Sequence, residues 1–141
     1  MQLPSILIID DNEDDRYLLR RMLRKLNITE RIFEADNGQR AMEFLSDSAG
    51  QGAAHPGQFP PKLVFLDINM PLMDGFLFLE QFRELRRRPE YASVVVMMFT
   101  SSNLTWERER ASEFEFVKGG ITKMPSDMNA LRAAIEAAVT R

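Results

Sequence analysis

Hydrophobic residues occur in two kinds of segment that alternate along the chain. Short apolar runs predict strands at Ile6–Ile9, Leu63–Leu66 and Val94–Phe99, and weaker runs predict them at Arg31–Ala35 and Gly120–Thr122. Continuous apolar runs of this length are typical of strands that are covered on both faces, as in a parallel sheet.

Between these runs, apolar residues recur at the spacing of amphipathic helices. The positions that share a helical face are Leu19, Met22, Leu23 and Leu26; Ala41, Phe44 and Leu45; Phe78, Phe82 and Leu85; and Leu131, Ile135 and Ala138. A further helix, dominated by charge, is predicted over roughly Leu104–Phe114. Strand and helix therefore alternate five times, which predicts a doubly wound α/β domain with a five-stranded parallel sheet and helices on both faces.

One polar segment, SDSAGQGAAHPGQFPP at residues 46–61, interrupts this order. Its Gly, Ala and Pro content predicts a surface loop. The single histidine of the chain, His55, lies in it, and we expect this side chain to be solvated.

Composition narrows the function without assigning it. The length of 141 residues suits one domain, and the net charge of −3 gives no electrostatic basis for binding nucleic acid. There are no cysteines, which excludes disulfides and thiolate metal sites and suits a reducing compartment. The N-terminal apolar run is too short for a signal peptide or a membrane span. We expect a cytoplasmic protein that does not bind membranes.

Polar side chains follow or close four of the predicted strands. Asp10 and Asp11 follow the first strand, Asp67 the third, Thr100 the fourth and Lys123 the fifth. In an open α/β sheet, ligands bind outside the carboxyl ends of the strands. Three carboxylates, a hydroxyl and an ammonium are therefore expected to meet in one crevice.

These groups suit phosphoryl chemistry assisted by a metal ion. An all-oxygen site without His or Cys favours a hard cation, Mg²⁺ before Ca²⁺. An aspartate can act as a nucleophile toward phosphorus and form an aspartyl phosphate, while a lysine and a hydroxyl bind the phosphoryl oxygens. Each residue also has a simpler interpretation: Asp10, Asn12 or Asp14 could cap the first helix, and a lone Lys123 would usually be solvated.

Four segments resemble the motifs of a bacterial two-component response-regulator receiver domain of the stand-alone type. They are ILIIDDNEDD, FLDINMPLMDG, VVVMMFTSS and GGITKMP, which begin at residues 6, 65, 94 and 119. The resemblance spans residue 5 to about residue 139, so it implies one receiver domain over 1–141 without an output domain. It also implies the flavodoxin-like strand order 2-1-3-4-5.

The resemblance implies a role for each site residue. Asp67 would accept a phosphoryl group from a histidine kinase or phosphotransfer protein. Mg²⁺, with Mn²⁺ as a substitute, would be bound by Asp67, directly by Asp11, largely through water by Asp10, and by the Asn69 carbonyl. Thr100 and Lys123 would bind the phosphoryl oxygens. The domain would signal to an unknown downstream protein by a conformational change, and would not be an enzyme beyond catalysing its own phosphorylation and dephosphorylation.

Two positions depart from the family pattern. Gly120 stands three residues before the lysine, where an aromatic residue is usual, and Met124 separates Lys123 from Pro125, where the proline usually follows at once. The phosphorylation chemistry depends on neither position, but the output of the signal does.

Two other functions are weighed against this one. A phosphohydrolase similar to haloacid dehalogenases would need an acid where Asn69 stands, and the chain has no cap domain. An unphosphorylated receiver-like scaffold is favoured slightly by the departures near Lys123, but the complete acidic site argues against it. A nucleotide or flavin role lacks a Gly-rich phosphate loop after the first strand.

Overall fold

Strands and helices alternate along the chain in the computed structural model, which describes residues 2–68, 70, 74–100, 105–123 and 127–140 and omits the side chains of residues 105–107. The strands are β1 (Ile6–Ile9), β2 (Ile32–Ala35), β3 (Leu63–Leu66), β4 (Val95–Thr100) and β5 (Val117–Thr122). The helices are α1 (Glu13–Leu26), α2 (Gly38–Ser46), α3 (Ser48–Ala54), α4 (Gly75–Leu85), α5 (Thr105–Ser112) and α6 (Met128–Thr140). A 3₁₀ turn at Pro89–Tyr91 precedes β4.

The five strands form one parallel sheet in the order β2-β1-β3-β4-β5. This confirms the doubly wound, flavodoxin-like order expected from the sequence. Ile9 pairs with Ala35 on one side and with Leu66 on the other, and Leu66 pairs in turn with Met98. The strands therefore end at nearly the same level, which brings the residues that follow them to one edge.

Alternate residues of each strand point to opposite faces of the sheet. Leu7 and Val64 pack on the face that α2, α4 and α5 cover, whereas Ile8 and Phe65 pack on the face of α1 and α6. All four residues are at most 1% exposed. Burying each of these side chains stabilises the fold by about 1.5–3 kcal/mol, so both faces have to be covered.

Helix α1 begins at one of the caps expected from the sequence. Asn12 caps it, since the Asn12 side chain accepts a hydrogen bond from the backbone N–H of Asp15, and acidic residues fill the first turn. Leu19, Leu23 and Leu26 form its buried face. The helix ends at Asn27, whose left-handed backbone (φ 51°) closes it.

The segment at residues 46–61 is on the surface, as predicted, but it is not a continuous loop. Ser48–Ala54 form α3, which Asp47 caps by accepting a hydrogen bond from the N–H of Gly50. The expectation that His55 is solvated was wrong: it is partly buried, and its ring packs edge-on against Phe33 at a centroid distance of 4.8 Å. A polar, small-residue composition did not reveal this aromatic contact.

The bounds of three strands differ from the sequence-based ones, and β2 and β4 each begin one residue later than expected, at Ile32 and Val95. β5 begins at Val117 and not at Gly120, and β4 runs through Thr100. Between the pairs Val96–Val117 and Met98–Gly120 the register shifts, because β5 holds one more residue than β4 there. The apolar pattern predicted only the end of β5, because the pair of glycines at this irregularity breaks the apolar run.

The charged helix expected at Leu104–Phe114 is α5, and Leu104 lies outside the described residues. Within the part of the chain that is described, every helix is too short or too polar to cross a membrane.

Candidate functional site

Asp10 and Asp67 are the first residues after β1 and β3, and backbone hydrogen bonds hold both. The N–H of Asp10 donates to the carbonyl of Ala35 (3.1 Å), and the N–H of Asp67 donates to the carbonyl of Ile9 (3.0 Å). These bonds continue the ladder past the strand ends, so the carboxylates stay next to each other at the edge. Asp10 is 0% exposed and Asp67 is 4% exposed.

Asp11 joins these two residues to form an acidic cluster. One carboxylate oxygen of each of Asp10, Asp11 and Asp67 lies within 4.8 Å of the others, and Asp11 is exposed. Asp10 Oδ2 is buried and has no hydrogen-bond partner among the described residues, apart from its ion pair with Lys123. Clustered carboxylates with one buried oxygen lacking a directional partner fit a hard divalent cation. Asn69, the fourth residue expected at this site, lies outside the described residues.

Lys123 carries the positive charge of the site. Its Nζ lies 2.8 Å from Asp10 Oδ2, 2.9 Å from Asp15 Oδ2 and 3.2 Å from Asp67 Oδ2. Burial by itself lowers the pKa of Lys123, but the adjacent carboxylates of Asp10, Asp15 and Asp67 outweigh it and raise the pKa above the usual value. The ammonium is therefore charged at neutral pH.

The site holds more negative than positive charge. Among the described residues, the carboxylates of Asp10, Asp15 and Asp67 contact the ammonium of Lys123, and that of Asp11 lies close to those of Asp10 and Asp67. Such a surplus favours binding of a further cation, and a cation in turn would allow an anionic group to approach.

Thr100 is the last residue of β4 and is 5% exposed. It pairs with Thr122 of β5, and its carbonyl accepts a hydrogen bond from the N–H of Lys123 (3.0 Å). The backbone thus connects the hydroxyl residue to the lysine. The structure brings Asp10, Asp11, Asp67 and Lys123 together through their side chains, and Thr100 adjoins them at the end of the neighbouring strand.

Two local features fix the start of α4 close to Asp67. Asp74 caps α4 by accepting a hydrogen bond from the N–H of Leu77 (2.9 Å). At Gly75, a Cβ atom would lie 2.7 Å from the Cα of Ile68, so only glycine fits this close approach. The Asp-Gly pair noted in the sequence thus starts α4 tightly against the backbone that follows Asp67. Pro71 of the same motif lies outside the described residues.

The contact between Asp15 and Lys123 was not predicted from the sequence. It lies in the first turn of α1, and its carboxylate reaches Lys123, 108 residues away in the chain. An acidic residue in a first helical turn is common for helix stability alone, so its type and position carried no distinctive signal. Only the packing of α1 beside the end of β5 reveals the contact.

Gly120, where the family usually has an aromatic residue, lies in the wall of a cavity of about 230 Å³ between β4, β5 and α5. Met98, Thr100, Arg108 and Ala111 also line this cavity, and its described walls contain no aromatic ring. Met124 and Pro125, the second departure, lie outside the described residues.

Comparison with known proteins identifies the family. A family model described as the response regulator receiver domain matches residues 6–136. The sensor histidine kinase CheAY of Helicobacter pylori is 32% identical over 108 residues, which is 77% of this chain and 12% of that protein. This chain therefore spans only a small part of the length of the sensor kinases that it matches.

Solved structures show the same fold. A two-component response regulator from Cytophaga hutchinsonii superposes with a TM-score of 0.82, at 23% identity and over 100% of both chains. The receiver domain of the histidine kinase CKI1 from Arabidopsis thaliana, complexed with Mg²⁺ and BeF₃⁻, superposes with a TM-score of 0.75 at 21% identity, over 97% of this chain and 90% of that one. At these identities the structures establish the fold, and the family match extends over nearly the whole chain. The chain therefore belongs to the response regulator receiver domain family of two-component signalling.

Proposed function

We propose that this chain is the phosphoacceptor of a phosphorelay, with Asp67 as the residue that is phosphorylated. The donor is a histidine kinase or a phosphotransfer protein, the reaction depends on Mg²⁺, and the phosphorylated form signals to a partner protein by a conformational change. The family supports the general role, since its relatives include sensor kinases and response regulators. The residues of the acidic cluster support the chemistry.

The observation that carries this proposal is the placement of Lys123 against Asp67. The buried carboxylate of Asp67 has an ammonium 3.2 Å from its Oδ2 atom. In the proposed transfer, an Asp67 oxygen forms a bond to phosphorus while the bond from phosphorus to the donor's histidine nitrogen breaks, and the released imidazole takes up a proton. Lys123 stabilises the charge on the phosphoryl oxygens, and the Thr100 hydroxyl donates a hydrogen bond to one of them.

Asp10, Asp11 and Asp67, with the carbonyl of Asn69, would hold Mg²⁺ in this proposal, and Mn²⁺ would substitute for it. When bound, the ion neutralises charge between the carboxylates and the incoming phosphoryl group. The Arabidopsis receiver domain that shares this fold is complexed with Mg²⁺ and BeF₃⁻, which supports the assignment. Because kinases draw their phosphoryl groups from ATP, we place the reaction in the cytoplasm.

The test is phosphorylation by a small donor. With Mg²⁺ and acetyl phosphate, the parent protein should gain a single phosphoryl group, measured by intact mass. Asp67→Asn should gain none, because an amide is a poor nucleophile. Asp14→Asn removes an exposed carboxylate from α1 and should be labelled like the parent.

Three results would contradict the proposal. Labelling of Asp67→Asn to the same extent as the parent would show that another residue is the acceptor. A parent that is never labelled would favour the unphosphorylated scaffold instead. Repeated turnover of a generic phosphate ester, in place of one stoichiometric phosphorylation, would favour a phosphohydrolase.

A further inference from the structure

Lys123 is held by a carboxylate that does not follow any strand. Besides Asp10 and Asp67, its ammonium contacts Asp15 Oδ2 at 2.9 Å, and Asp15 belongs to α1. The side chain of Lys123 is 10% exposed and that of Asp15 is 23% exposed. Solvent therefore screens this ion pair less than it screens a pair on the open surface.

The three carboxylate contacts of the Lys123 ammonium differ in kind and therefore in role. A lysine ammonium has three N–H donors, and three carboxylate oxygens surround this one. Nζ donates hydrogen bonds to Asp15 Oδ2 (2.9 Å) and to Asp67 Oδ2, whereas Asp10 Oδ2, 2.8 Å away, is its ion-pair partner. The longest contact, at 3.2 Å, is directed to Asp67 Oδ2. This hydrogen bond is the one that a group attached to Asp67 would receive in place of Asp67 Oδ2.

Asp15 is itself fixed by the turn that fixes Asp10. The N–H of Asn12 donates to Asp10 Oδ1 (2.9 Å), and the N–H of Asp15 donates to the side-chain oxygen of Asn12 (3.0 Å). These two hydrogen bonds connect the end of β1 to the first turn of α1. The carboxylates of Asp10 and Asp15 are thus presented to Lys123 by one short, capped turn.

We infer that Asp15 is a positioning residue, which together with Asp10 holds the Lys123 ammonium so that one of its donors points to the phosphoryl group on Asp67. The inference rests on the proposed function of Asp67. When Asp67 carries a phosphoryl group, the hydrogen bond that Lys123 donates to Asp67 is donated to a phosphoryl oxygen instead. The contacts with Asp10 and Asp15 keep the Lys123 nitrogen in place.

The sign of the effect separates positioning from simple charge repulsion. Removing any carboxylate near an anion should strengthen binding of the anion, because repulsion falls. Loss of a positioning carboxylate should weaken it, because Lys123 is no longer directed. Asp14 offers a matched control, since it lies one residue earlier in the same helical turn, is exposed, and makes no contact with Lys123 among the described residues.

The experiment measures the dissociation constant of beryllofluoride at saturating Mg²⁺, by amide chemical shifts, in the full chain. Asp14→Asn should bind as tightly as the parent or slightly more tightly. Asp15→Asn should bind about fivefold more weakly, the size expected for a partly exposed ion pair. In a Lys123→Gln background, Asp15→Asn should no longer weaken binding, because the residue acts through Lys123.

The inference is overturned if Asp15→Asn binds beryllofluoride as tightly as Asp14→Asn does. It is also overturned if Asp15→Asn weakens binding equally in the Lys123→Gln background, since the residue would then act through the helix. A parent that does not bind beryllofluoride would refute the proposed function, and the inference with it. A parent that binds, with unaffected Asp15→Asn, would refute the inference alone.

Discussion

Gly120 of β5 lies so close to Met98 of β4 that a Cβ atom at position 120 would be 3.0 Å from the Met98 Cβ and 3.1 Å from its carbonyl oxygen. The register shift between the two strands brings the backbones together here, and the preceding Gly119 adopts a φ of +128°, which other residues rarely adopt. Position 120 is thus closely packed against Met98, so a side chain there would require Met98 to shift.

Gly120→Ala should therefore destabilise the protein, by about 1–2 kcal/mol, because the Met98 backbone has to move to admit the methyl group. Urea unfolding measures the change. Gly52→Ala is the matched control: it lies in α3 with no atom within 4 Å of its Cβ position, and it should be neutral or stabilise by up to about 1 kcal/mol. A neutral Gly120→Ala would show that the edge of β5 adapts freely.

Signal output should leave through α5 and not through β5. Of the described side chains in α5, those of residues 108–112, only Ala111 is buried, so few buried contacts hold this part of the helix. Gly120 has no side chain that could follow a movement of Thr100. On addition of beryllofluoride and Mg²⁺, hydrogen exchange should change in residues 101–112 and much less at Gly119–Ile121.

Asp67→Asn treated in the same way provides the control for this experiment and should show no change in exchange. Changes concentrated at Gly119–Ile121, with none in residues 101–112, would contradict the proposed route.

The two neighbouring aspartates should contribute unequally to Mg²⁺ binding. The carboxylate of Asp10 is engaged by the N–H of Asn12 and by Lys123, whereas that of Asp11 is exposed and makes no hydrogen bond or ion pair with the described residues. Asp10→Asn should lower the Mg²⁺ affinity by about tenfold, as expected for a residue that acts through water. Asp11→Asn should lower it more. Calorimetric titration of each variant measures this order. Equal affinities for both variants and the parent would refute it.

Tyr91, in the 3₁₀ turn before β4, anchors the C-terminal end of α2. Its side chain is 0% exposed, and its hydroxyl donates a hydrogen bond to the carbonyl of Leu45. Tyr91→Phe should lower the free energy of unfolding by about 1–2 kcal/mol, because that carbonyl loses its buried donor. Tyr17→Phe, at a side chain that is 46% exposed, should change stability by less than about 0.5 kcal/mol. Equal effects in the two variants would show that the Tyr91 hydroxyl contributes nothing.

Stability at alkaline pH should depend on the same residue. Burial raises the pKa of Tyr91 above the usual 10.0, so the folded state favours the neutral phenol. The stability that the folded state gains from a neutral Tyr91 is fully present below pH 10.0 and is lost as the pH rises through the raised pKa of Tyr91. The difference in stability between the parent and Tyr91→Phe should therefore narrow above pH 10.0, as measured by urea unfolding at a series of pH values. A difference in stability between the two proteins that stays constant with pH would contradict the raised pKa of Tyr91.

The sequence by itself determined the strands that lie deepest in the sheet and the residues that follow them. Ile6–Ile9 and Leu63–Leu66 match β1 and β3 residue for residue, because a strand buried on both faces must be apolar throughout. The prediction that Asp10, Asp67 and Lys123 meet also holds geometrically, since parallel strands end at one edge of the sheet.

Only the tertiary structure decided the contacts between elements that no local pattern connects. Three such features join residues that no local sequence pattern relates. They are the ion pair of Asp15 with Lys123, the ring contact of His55 with Phe33 and the register shift beside Gly120. Hydrophobic spacing determines which face of an element is buried, but not how far it slides or rotates against the next. Distances of 3–5 Å between side chains depend on that packing, and packing is a property of the whole fold.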